Sequence, residues 1–144
     1  MANRCDFRMI VRGKGENVET FYKYLTDYEG SPKYFARIFD ANIDSETFDE
    51  NGIKTMKLYG NCAWSVYSCM CEGSYTYYTD SHGTDPKLTC LREATEELQL
   101  EVEIKSEEPG MGFWEHFHYK NGECLCDDTG DLQSETFDME DVAA

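Results

Sequence analysis

A chain of 144 residues with 40% hydrophobic residues, among them 10 Tyr, 8 Phe and 2 Trp, is long and apolar enough for one folded core, which excludes wholesale disorder. Its formal net charge is −16, and the excess is uneven: residues 1–40 carry seven Lys/Arg against six Asp/Glu, residues 41–144 six against twenty-three. That balance excludes direct nucleic-acid binding and membrane-surface binding as expected roles, because both need basic contacts.

The first residues, Met1-Ala2-Asn3-Arg4-Cys5-Asp6, hold no apolar run of the signal-peptide kind, and nowhere do eighteen apolar residues follow one another. A cytoplasmic location, in a host cell, is the expectation. The seven cysteines (5, 62, 69, 71, 90, 124 and 126) then read as reduced thiols.

In chain order, Cys5, Phe7, Met9 and Val11 alternate with Asp6, Arg8 and Arg12, which predicts a half-buried strand with Ile10 on its wetter face. Gly13-Lys14-Gly15 ends it, and Val18, Phe21, Tyr22, Leu25 and Tyr28 then recur at helical spacing up to the stop at Gly30-Ser31-Pro32. Tyr34 to Ile43 reads as a strand or an irregular arm. Asn51-Gly52 predicts a tight hairpin turn, and Thr55 to Cys71 reads as one long strand or two joined strands with a bulge or bend at Gly60. Ser74 to Asp80 continues the β-prone character.

Asp85-Pro86 predicts the start of a second helix, with Leu88, Leu91, Ala94, Thr95 and Leu98 as its apolar stripe. Leu100 to Lys105 alternates as a strand, Phe113 to Lys120 follows as another, and Asn121-Gly122 predicts a turn into a partner over Glu123 to Cys126. Asp127 to Ala144 holds seven acids and no Lys or Arg, the composition of a flexible tail onto which only Leu132, Phe137 and Met139 offer docking groups. The expected architecture is therefore α+β: one domain over residues 1–126, a ferredoxin-like antiparallel sheet with two helices packed on one face and an extra C-terminal hairpin, followed by an acidic tail over 127–144.

Three short stretches point to a family. The opening Met1-Ala2-Asn3 before a strand and helix, the segment Gly60-Asn61-Cys62-Ala63-Trp64-Ser65, and Glu108-Pro109-Gly110-Met111-Gly112-Phe113 together resemble the YubB ferredoxin-like domain family of phage and plasmid proteins. The resemblance spans about residues 1–126. It departs at Arg4, where an aromatic is expected, and in the spacing around Gly60 and Trp64. It implies a fold and a mobile-element origin, and it brings no catalytic residues.

The residues with chemistry of their own are few. Cys69-Met70-Cys71 and Cys124-Leu125-Cys126, each pair two residues apart on a strand, would present both thiols to one side, as would His116 and His118. Structural zinc sites usually leave two to four residues between cysteines, and an extended strand chelates poorly. No metal, cofactor or catalytic residue is expected, and the chain reads as a non-enzyme. Glu93, Glu96, Glu97, Glu101, Glu103, Glu107 and Glu108 instead read as an acidic surface, with Tyr59, Trp64 and Trp114 as anchors where exposed.

The resulting expectation is a phage or mobile-element inhibitor of anti-CRISPR or anti-restriction type. It would compete for the basic surface of a host nucleic-acid-handling protein (a CRISPR effector or a restriction enzyme) and act as monomer or homodimer. The alternatives are a self-assembling structural module without enzymatic activity and a small zinc-binding protein.

Overall fold

The computed structural model describes residues 3–27, 29–71, 86–133 and 138–139. Strand β1 (Arg4–Lys14) runs into helix α1 (Gly15–Thr26), as the change from period two to period 3.6 requires. The hairpin of β2 (Ile38–Phe48) and β3 (Ile53–Ala63) follows, then a short helix α2 (Val66–Met70) and helix α3 (Leu91–Leu98). Strands β4 (Glu101–Glu108), β5 (Phe113–Lys120) and β6 (Glu123–Asp131) are the last elements among the described residues.

All six strands form one antiparallel sheet in the order β2-β3-β1-β4-β5-β6. This overturns the expected ferredoxin-like fold with two packed helices. Sheet dominates, and the helices are short: twelve residues in α1, five in α2 and eight in α3. The C-terminal hairpin is no appendage either. β5 pairs with β4 from Glu101–Lys120 to Glu108–Phe113, so the sheet continues through it without a break.

Alternation divides the sheet into two faces. Cys5, Phe7, Met9 and Val11 of β1 meet Met56 and Leu58 of β3, Val102 and Ile104 of β4, and Phe117 and Tyr119 of β5 in one core. Val18, Phe21 and Leu25 of α1, Val66, Cys69 and Met70 of α2, and Leu91 and Ala94 of α3 close over that face. The opposite, open face carries Arg8 and Arg12, Tyr59, Glu101, Glu103 and Lys105, which sit at the intervening positions of the same strands. Ile10 lies on this open face yet is 4% exposed, flanked in register by Lys57 and Glu103.

Several local expectations change with the packing. The span read as strand through Cys71 stops at Ala63: Trp64 takes a left-handed conformation (φ 66°), and Ser65 caps α2 by accepting the Ser68 N–H at 2.9 Å. The second helix begins at Leu91 rather than at Pro86, because Thr89 N–H donates to the Tyr34 carbonyl and Leu88 forms a parallel bridge with Tyr34. Asp85 and the stretch Ser74–Asp80 lie outside the described residues. β6 runs to Asp131, five residues into the segment read as tail.

Gly60 does mark an irregularity. A β-carbon there would lie 2.0 Å from the Asp40 carbonyl oxygen, and the β2–β3 register shifts between Ile38 and Asp40 just alongside. Both predicted turns form, with Gly52 at φ 79° and Asn121-Gly122 at φ 49° and 86°.

Candidate functional site

The acids singled out in the sequence fall into three groups. Glu93, Glu96 and Glu97 are exposed on α3, on the core side of the sheet, and Glu97 pairs with Lys33 at 2.5 Å. Glu101, Glu103 and Glu107 lie on the open face, where Glu101 meets His118 Nε2 at 2.8 Å and Glu103 meets His116 Nε2 at 2.6 Å. Glu103 is 6% exposed and Glu108 1%, so neither can form part of an accessible acidic surface. Glu108 instead locks the β4–β5 turn by accepting the Gly110 N–H at 2.8 Å and the Met111 N–H at 2.7 Å. Helix α3 and the outward positions of β4 face opposite ways, and these acids do not make one patch.

The aromatic anchors are also dispersed. Tyr59 is 42% exposed on the open face, with the Arg8 guanidinium 5.3 Å from its ring centre. Trp64 is equally exposed but sits at the end of β3. Trp114 is half-buried on β5, across from Glu107 and Gly130.

The thiol pairs part company. Cys69 lies on α2 in the core, with Cys5 and Cys62, whereas a bulge at Leu125 splits the other pair: Cys124 registers with Tyr119 and Cys126 with His118. Neighbouring β5 residues point to opposite faces, so Cys124 and Cys126 do too. Among the described residues no three His, Cys, Asp or Glu side chains converge as a metal site requires.

Cys126 Sγ does lie 3.6 Å from His116 Nδ1, in a row that continues through His116 Nε2 to Glu103. Burial and the Asp128 carboxylate push this thiol up to about 11. It therefore holds its proton at neutral pH, and a protonated thiol is a poor nucleophile.

Exposed acids do gather at the two edges of the sheet: Asp40, Asp44, Glu46, Asp49 and Glu50 on β2 and its turn, and a second group on β6. β6 is the outermost strand, and Glu123, Asp127, Asp128 and Asp131 are all exposed along it, together with Leu125 at 50%. Helix α3 is pinned to the end of this strand. Arg92 Nη1 donates to the Gly122 carbonyl at 3.0 Å, the Gly122 N–H donates to Thr95 Oγ1 at 3.0 Å, and a β-carbon on Gly122 would meet Glu96 at 2.8 Å. Glu96 of α3 thus lies against the start of β6, while Glu97 turns to Lys33. Sequence reading placed Glu123 on a strand over Glu123 to Cys126 but assigned the other three acids to a flexible tail, whereas the strand runs on to Asp131.

No helix among the described residues is long and apolar enough to cross a membrane. Comparison with known proteins finds no matching family model, no matching curated protein and no matching solved structure.

Proposed function

We propose that the chain is an acidic, non-enzymatic protein of a phage or mobile element. It binds and inhibits a host nucleic-acid-handling defence protein, a CRISPR effector or restriction enzyme, by competing for that protein's basic surface. The observation that carries this reading is the β6 edge, where Glu123, Asp127, Asp128 and Asp131 stand exposed along the strand and Glu96 of α3 lies against its start. Carboxylates fixed on a strand and a helix lose little freedom on binding, so they meet Lys/Arg sites at smaller entropic cost than the same charges on a loose tail.

The edge also offers peptide groups for strand addition, with Leu125 as an apolar anchor, while its charges discourage indiscriminate pairing between copies. The mobile-element setting comes from the short-motif resemblance to phage and plasmid proteins. The test is DNA cleavage by a CRISPR effector nuclease in the presence of the chain. Reversal of the four β6 acids (Glu123→Lys, Asp127→Lys, Asp128→Lys and Asp131→Lys) is expected to weaken inhibition by roughly tenfold or more. Reversal of Asp44 and Glu50, exposed at the far edge, should change it little. Equal inhibition by the β6-reversed chain, or none by the unaltered chain, sinks the proposal.

A further inference from the structure

The regular part of the β6 edge lies beside a groove on the core face of the sheet. Over residues 126–131 the strand pairs with residues 113–118 of β5 without a register shift. Alternation then puts Asp127, Thr129 and Asp131 on the core face, opposite Phe117, Glu115 and Phe113. Between this row and helix α2 runs a groove of about 430 Å3, lined by Ser65 and Tyr67 of α2, Phe113 and Phe117 of β5, and Asp127 and Thr129 of β6. Glu115 also reaches it, but its carboxylate is committed to the Val66 and Tyr67 N–H groups.

The groove combines an aromatic floor with an acidic outer rim. Tyr67 is 49% exposed on its inner wall, and none of the lining residues is Lys or Arg. Along the rim Asp127 and Asp131 flank Thr129, each about 7 Å from it in an extended strand, and all three are exposed. This charge decides the occupant. A second copy would bring the same carboxylates to the edge and is repelled, whereas a basic segment is attracted. The other acidic edge offers no such frame. There β2 shifts register between Ile38 and Asp40 and again between Ile43 and Ser45, which breaks the spacing of Asp40, Asp44 and Glu46.

We infer that the β6 edge takes an extended partner segment in which one apolar residue stands between two Lys or Arg residues, each two positions away from it. Added antiparallel to β6, such a segment sets its cations opposite Asp127 and Asp131 and its apolar residue opposite Thr129, beside Phe113, Phe117 and Tyr67 in the groove. Main-chain hydrogen bonds between the two strands supply the rest of the contact. The inference rests on the reading of β6 as the contact edge given above, and it adds the pattern that the partner segment carries. A segment with the same cations and no apolar residue on that face binds more weakly.

The probe is the acetylated, amidated peptide Ser-Lys-Thr-Leu-Thr-Lys-Ser, titrated into the full chain labelled with 15N. A control of the same composition, Ser-Lys-Leu-Thr-Thr-Lys-Ser, keeps both cations in place and turns the leucine to the opposite face. The first peptide is expected to shift amide signals over residues 126–131 and at Tyr67 and Phe113, and to bind at least roughly tenfold more tightly than the control. Asp127→Lys with Asp131→Lys, at two exposed positions, should reverse the charge preference. That variant should reject the lysine peptide and bind Ser-Glu-Thr-Leu-Thr-Glu-Ser at least roughly tenfold more tightly than the unaltered chain does. No binding of the first peptide, equal binding of the control, shifts on β2 instead of β6, or no reversal in the variant overturns the inference. Nuclease inhibition is read separately. Inhibition that depends on the β6 acids, with the two lysine peptides bound alike, refutes the segment pattern and leaves the proposed function standing; patterned binding without inhibition does the opposite.

Discussion

Beside the apolar core, four buried charges among the described residues, Lys54, Glu103, Glu108 and Glu115, have defined partners. Lys54, 3% exposed on β3, is held between Glu19 of α1 and Glu46 of β2. Burial alone would lower its pKa, but the hydrogen bonds it donates to Glu19 and Glu46 and their charges outweigh it, so the ammonium titrates above its ordinary value. A raised lysine pKa means that the folded chain binds this proton more tightly than the unfolded one. Its contribution to stability is full below the unfolded lysine value and is lost as pH rises through the folded one. Lys54→Met removes that dependence. In urea unfolding followed from pH 8 to 11, the unaltered chain should lose more stability with rising pH than the variant, and parallel curves would refute the assignment. Nothing local in the sequence marks such a lysine, because its partners come from α1 and β2.

At the scale of elements, α2 shows most clearly how tertiary contacts overrule a local pattern. Its five residues hold too few helical hydrogen bonds to stand alone. Glu115 of β5, 3% exposed, supplies what is missing by accepting the Val66 N–H at 2.8 Å and the Tyr67 N–H at 3.0 Å at the helix start. Ser106 Oγ donates to the same carboxylate at 2.7 Å, which fixes its position. Glu115→Ala should cost about 2–4 kcal/mol, since two buried donors lose their acceptor. Chemical denaturation measures the loss, and a change below about 0.5 kcal/mol would mean that α2 stands without Glu115.

This dependence explains why Val66–Met70 reads as strand from sequence. Val66, Tyr67 and Cys69 are β-formers, and the acceptor that favours helix lies 48 and 49 residues away. β1, α1 and both Asn-Gly turns were legible because their signals are local: alternation, helical spacing and a need for positive φ. The acidic edge was only half legible. Glu93, Glu96 and Glu97 stood out, but sequence cannot tell an edge strand from a tail when strand pairing decides it. Glu101 and Glu103 looked equally exposed, and their histidine partners on β5 lie 13 to 17 residues away.

The whole molecule separates its charges by location. The helices cover one face of the sheet, the open face mixes Arg8 and Lys105 with Asp6 and Glu107, and both edges expose acids: Asp40, Asp44, Glu46, Asp49 and Glu50 at β2 and its turn, Glu123, Asp127, Asp128 and Asp131 at β6. Much of the net charge of −16 is thus carried at the two edges of the sheet. The thiols take no part in that: most are buried, and Cys126 is held protonated.

The most direct measurement of the proposed competition is the inhibition constant against a CRISPR effector nuclease as a function of salt. If carboxylates on the β6 edge displace nucleic acid from Lys/Arg sites, inhibition in a cleavage-free binding format should weaken by roughly tenfold between about 0.1 and 0.5 M salt, mainly through slower association. The β6-reversed chain should show little salt dependence over the same range. A constant that is unchanged by salt for the unaltered chain would contradict the account.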